Sequence, residues 1–149
     1  MKILLATDGT KHGKAAAKML TRYDLGADDS IHVISVVDMA VPMAIDIYGG
    51  YLPDMAEMEK AAKDTASTVI EETVAILTTI FNDAEITSDI LFGSPDSRIV
   101  ETAEEIGAEL IILGSHGHNR WERLLLGSVS DSVVHHAHCS VLIVRTPAG

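Results

Sequence analysis

A single doubly wound α/β domain, a five-stranded parallel sheet with helices on both faces, is the fold this sequence predicts. Three observations carry that reading. Along its 149 residues, short apolar runs alternate with stretches of helical period, the order produced when right-handed crossovers join parallel strands. Hydrophobic residues make up 47% of the chain and aromatic ones only 4%, which gives the aliphatic core of a sheet buried on both faces. Turn and helix-start signals follow the strand-like runs, as at Asp8-Gly9 and Gly93-Ser94-Pro95. A chain of this length suits one domain that buries roughly 68–70% of its unfolded surface, so neither a disulfide nor a metal is needed to hold the core.

The elements follow in order. Residues 2–7 (KILLAT) form a short apolar strand that stops at Asp8-Gly9. Residues 12–24 place Ala16, Met19, Leu20 and Tyr23 on one helical face. Residues 31–37 (IHVISVV), rich in β-branched side chains, make the second strand. From 38 to about 54 the periodicity fails, and two prolines and two glycines mark a long, flexible loop of the kind that is a lid, a partner contact or disordered. A long helix over 55–81 carries Met58, Ala62, Val69, Thr73, Leu77 and Ile80 inward. The half-polar third strand, 85–92 (EITSDILF), belongs near a sheet edge. Ser94 as N-cap and Pro95 at the first helical position then start a helix with Ile99, Ala103 and Ile106 inward. Leu110 to Leu113 supply the fourth strand, a glycine-rich loop follows, a helix turns Val129, Val133 and Ala137 inward, and residues 141–144 close the sheet.

The net charge of −11 disfavours sequence-independent binding to nucleic acid, which requires a cationic surface, and disfavours anionic membranes. Cys139 is the only cysteine. It excludes an internal disulfide and points to a reducing compartment. The four-residue apolar run Ile3 to Ala6 is too short for a secretory core, and no stretch approaches a membrane span. A cytoplasmic location is expected.

The loop GSHGHNRWERLLLGSVS, residues 114–130, concentrates the chemistry. It is not a Walker loop, since Leu126 and not lysine precedes Gly127-Ser128. Nor does the first turn, TDGTKHG, match the dinucleotide fingerprint. The spacing is instead Gly114, two residues, Gly117, nine residues, Gly127, Ser128. Gly114 and Gly117 allow close backbone approach to a ligand and positive φ. The amides of Ser128, Val129 and Ser130 open the last helix and can point at phosphate oxygens, with the Ser128 and Ser130 hydroxyls adding hydrogen bonds. In such sheets ligands bind beyond the strands' carboxyl ends, where Asp8 and this loop both lie.

With those residues in view, the sequence resembles the universal stress protein family, in its ATP-binding subgroup. The motif Gly-x2-Gly-x9-Gly-Ser is complete, and ATDGT, HVISVVD, AELIILGSHG, LLLGSVSDSVV and CSVLIVR extend the likeness over essentially the whole chain. The resemblance implies a Rossmann-like fold of the adenine nucleotide alpha hydrolase type. It implies ATP as ligand, with Mg2+ or Mn2+ held through the phosphates. By position it assigns Ala6, Thr7 and Asp8 to the ribose and adenine, Val33 to adenine, Leu113, Gly114, His116 and Gly117 to ribose and phosphates, and Gly127, Ser128, Val129 and Ser130 to phosphate. It implies a homodimer through the last strand, residues 140–145, with Ser140 and Arg145 at its ends, and a role as a stress-related regulator acting on a protein partner. His118 stands where many members carry Lys or Arg.

Each residue has a plainer reading beside it. Asp8 can be the N-cap of the first helix. The group His135, His136, His138 and Cys139 is local to one helix end, where histidines complement the dipole, and no metal site is assigned to it. His12 is expected to be exposed and His32 satisfied within its strand. Met39, Met43, Met55 and Met58 are expected as packing around the long loop, and Trp121 as a packing or subunit contact. The alternative function is a slow ATPase or a nucleotidyl-transfer enzyme, with Asp8 and His116 as the polar groups near the phosphates. ATP, AMP and a cyclic nucleotide are not distinguished by the residues alone.

Overall fold

The computed structural model describes residues 1–38, 55–116 and 126–146. Five strands, β1 (Lys2–Ala6), β2 (Ser30–Val37), β3 (Glu85–Phe92), β4 (Leu110–Gly114) and β5 (Ser140–Val144), form one parallel sheet in the order β3-β2-β1-β4-β5. Four helices join them: α1 (Lys11–Leu20), α2 (Met55–Ile80), α3 (Pro95–Ile106) and α4 (Ser128–His136).

The alternation of side chains along a strand sorts the core into two layers. From β1, Ile3 and Leu5 face one way with Leu20 of α1 and Leu77 of α2. Leu4 and Ala6 face the other way with Ile99 of α3 and Val133 of α4. β1 is therefore buried on both faces, which is why its sequence reads as an unbroken apolar run. β3 lies at one edge of the sheet, which explains its half-polar sequence. β5 lies at the other edge, paired only to β4 among the described residues.

Two helical details differ from the periodic reading. α1 ends at Leu20 with Thr21 as its C-cap, so Tyr23 falls in the following turn and is exposed instead of facing inward. On α2 the buried stripe is Ala66, Ile70, Thr73 and Leu77. Phe81, one residue past the helix, continues that stripe into the core, leaving Ile80 about 100° off it and exposed. Ser94 is the N-cap residue of α3, yet its hydroxyl donates to Asp96 Oδ1 at 2.6 Å and makes no cap bond to the helix amides. The long-loop expectation, with Met39 and Met43, lies outside the described residues.

Candidate functional site

The chain leaves β1 for β2 on one side and reaches β4 on the other, so strand order reverses at the β1/β4 boundary. The splayed connections at such a boundary leave a crevice at the carboxyl ends. A cavity of about 700 Å3 occupies it. Its floor is the ends of three strands: Ala6, Thr7 and Asp8 after β1, residues 34–38 at the end of β2, and Leu113 and Gly114 of β4. One wall is small or apolar, with Ala62, Thr65, Ala66 and Val69 from α2, while Ile99 of α3 lines the cavity from the other face of the sheet, where α4 lies. The opposite end is polar backbone, from His116 and residues 126–130.

That polar end is built by the start of α4. Gly127 is the N-cap in extended conformation, and no side chain caps the helix. The first bond into the helix runs from Asp131 N to Gly127 O, 2.9 Å. The amides of Ser128, Val129 and Ser130 are left without partners among the described residues, so three donors and the positive end of the helix face the cavity. Gly127 N donates to Ser115 O at 2.8 Å and fixes this helix start against the end of β4. One hydroxyl departs from expectation. Ser130 is buried, and its Oγ donates to Ser115 O at 2.9 Å, with Gly127 O at 3.0 Å as a second acceptor. Its single proton is spent inside the protein, so it fastens the start of α4 to the end of β4, and the exposed Ser128 hydroxyl is the one turned to solvent.

Across the cavity, Asp8 is not the N-cap of α1. Thr10 is, through its side chain and Gly13 N at 3.3 Å. Asp8 Oδ1 instead accepts from Thr10 N at 3.0 Å and Thr10 Oγ at 2.6 Å, which sets the turn. Its Oδ2 has no partner among the described residues. Gly114 also serves a different need from the one its motif suggests. Its φ is not positive. A Cβ there would lie 2.7 Å from the backbone carbon of His12 and 2.8 Å from its carbonyl oxygen, so the glycine lets α1 lie directly on β4.

That approach brings His12, expected to be exposed, to the margin of the site. Its ring lies 5.4 Å from that of His116, tilted by 49°. His12 Nδ1 is 3.0 Å from Thr146 Oγ1, and His116 Nδ1 is 3.0 Å from Ser115 Oγ. His116 Nε2 is buried without a hydrogen-bond partner among the described residues. Burial holds the His12 imidazole below its usual proton affinity, and the neighbouring His116 and Lys11 act in the same direction against Asp8.

Ten of the residues expected at the site line the cavity: Ala6, Thr7, Asp8, Leu113, Gly114, His116, Gly127, Ser128, Val129 and Ser130. Val33 does not. It pairs with Leu5 one step below the cavity floor and is fully buried in the layer under α1 and α2. The β2 contribution comes from residues 34–38, because only the strand's carboxyl end reaches the crevice. Gly117, His118, Arg120 and Trp121 lie outside the described residues. The α2 wall was missed by the sequence reading, since Ala62, Ala66 and Val69 carry the same spacing as ordinary core positions. His32 is satisfied as expected, with Nδ1 2.8 Å from Thr87 Oγ1. Among the described residues, no three His, Cys, Asp or Glu groups converge as a metal cage, and His135, His136 and His138 make separate local contacts.

A family model described as the universal stress protein family matches residues 1–145. The chain belongs to the universal stress protein family. A universal stress protein of Methanocaldococcus jannaschii is 33% identical over 150 residues, covering 98% of this chain and 82% of that protein. Solved structures share the fold. A universal stress protein in complex with cAMP superposes with a TM-score of 0.70 at 20% identity, covering 99% of this chain and 98% of the other. A family protein from Arabidopsis thaliana with AMP bound gives a TM-score of 0.69 at 18% identity, covering 99% and 93%. Among the described residues no helix is long and apolar enough to cross a membrane.

Proposed function

We propose that this universal stress protein binds an adenine nucleotide, ATP with Mg2+ or Mn2+ on its phosphates, and works as a dimeric stress-related regulator. The observation that carries the reading is the pairing of two unlike ends in one cavity. Three uncapped amides at the start of α4 suit an anion, and the α2 wall of Ala62, Ala66 and Val69 suits a flat apolar base. Asp8 lines the same cavity, and its Oδ2, without a partner among the described residues, suits a ribose hydroxyl as donor. Within an acidic protein, backbone amides supply local positive potential without a lysine. Relatives of the same fold hold AMP and cAMP, which supports the nucleotide class.

The open edge of β5 supports dimerisation through residues 140–145, by adding one copy's strand to the other's. Nucleotide occupancy would then set which protein partner the dimer accepts. Calorimetric titration with Mg-ATP, AMP and cAMP tests the ligand. The expectation is one site per chain, with Mg-ATP bound most tightly. Absence of heat with all three, or equal binding of a nucleotide and its unphosphorylated nucleoside, would remove the phosphate role assigned to α4.

A further inference from the structure

We infer that His12 and His116 form a binding site for one divalent cation of the zinc class, at the margin of the cavity. The two histidines come from different elements, the first turn of α1 and the residues just after β4, and they meet because Gly114 has no side chain to hold the elements apart. Each ring is held by its Nδ1. Thr146 Oγ1 stands 3.0 Å from that of His12, and Ser115 Oγ stands 3.0 Å from that of His116. With Nδ1–H donating to the hydroxyl, each Nε2 carries a free lone pair. This outer-sphere arrangement fixes the tautomer and orientation of metal-binding imidazoles elsewhere.

Distance and hydrogen bonding both bear on the choice. A tetrahedral ion with zinc–nitrogen bonds of about 2.0–2.1 Å places its two ring centroids about 5.2 Å apart, and here they are 5.4 Å apart. Tilted rings also pack at that separation. Packing alone, however, accounts for no polar partner, and His116 Nε2 is buried with none among the described residues. A buried unsatisfied nitrogen of this kind calls for an ion or a water. Imidazole nitrogen selects zinc, cobalt, nickel or copper over magnesium and calcium, which prefer oxygen. No third His, Cys, Asp or Glu joins the pair among the described residues. The remaining coordination positions therefore go to water or to oxygens from solution, and the ion is exchangeable. The inference does not rest on the nucleotide reading, because the metal alone is the probe.

The test is titration of the full-length protein with Co2+, read by visible absorption, followed by competition with Zn2+. The expected result is a d–d band that zinc abolishes. His12→Ala and His116→Ala should each eliminate the band, while Ser115→Ala and Thr146→Val should weaken binding by about 10–100-fold. Circular dichroism establishes that the variants fold. Nitrogen-15 spectra of the unaltered protein provide a reading that needs no variant, since Zn2+ should shift Nε2 of His12 and His116. No band, a band undiminished in both histidine variants, or ring shifts confined to His135, His136 and His138 would overturn the assignment.

Discussion

Replacing Ser128 by proline separates the binding role of the α4 terminus from its structural role. Ser128 is the first residue of the helix, the one helical position where proline fits, because its missing N–H would have had no partner within the helix. Proline also requires an extended residue before it, and Gly127 already has φ −63° and ψ 159°. The fold should accept the change without strain and gain up to about 0.4–1 kcal/mol from the stiffer unfolded chain. The ligand, in contrast, loses one of three amides. A hydrogen bond to a charged group contributes about 1.5–3 kcal/mol, which converts to roughly 10–150-fold in dissociation constant. Ser128→Ala keeps the amide and loses only the hydroxyl, for about 0.5–1.5 kcal/mol, or roughly two- to tenfold. Calorimetry with Mg-ATP, alongside melting temperatures of both variants, makes the comparison. A well-folded Ser128→Pro protein that bound ATP as tightly as the unaltered chain would refute phosphate recognition by these amides.

Two further outcomes concern the frame around the site. Gly114→Ala should cost about 1–3 kcal/mol, lowering the melting temperature by roughly 2–4 °C per kcal/mol in a chain of this size. The new methyl meets His12 backbone and not a flexible side-chain tip, and an unchanged melting temperature would contradict that packing. Asp96 is held below its ordinary value of 3.8, first by the Ser94 hydroxyl and then by that of Ser132. A folded value under the unfolded one means that the unfolded chain binds more protons as the pH falls. The stabilisation from Asp96 is therefore complete above about pH 4 and fades as pH drops through the folded value. Asp96→Asn should lower stability at pH 7 and converge with the unaltered protein in thermal melts once the pH falls below the folded value. An equal deficit at both ends of that range would disprove it.

Much of this was legible in the residues. Alternating periods, β-branched strands and turn chemistry placed all nine described elements near their observed bounds, because each signal depends on local backbone preference and on which face is buried. The glycine spacing located the polar, backbone-lined end of the cavity, because free amides at a helix start are a local property. Asp8, Gly114 and Ser130 were found for reasons that proved incomplete. Whether Asp8 caps a helix or sets a turn depends on a hydroxyl two residues away. Gly114 answers to α1, and Ser130 answers to the carbonyl of Ser115.

The sequence by itself determined the layered parallel sheet, the edge position of β3 and the glycine-led, uncapped start of α4. Only the tertiary structure decided that residues 34–38 and not Val33 reach the cavity, that α2 supplies its apolar wall, and that His12 stands beside His116. The physical reason is range. Periodicity and capping operate over a few residues, whereas the depth of a strand in a crevice and the meeting of two rings from distant segments are set by how whole elements stack.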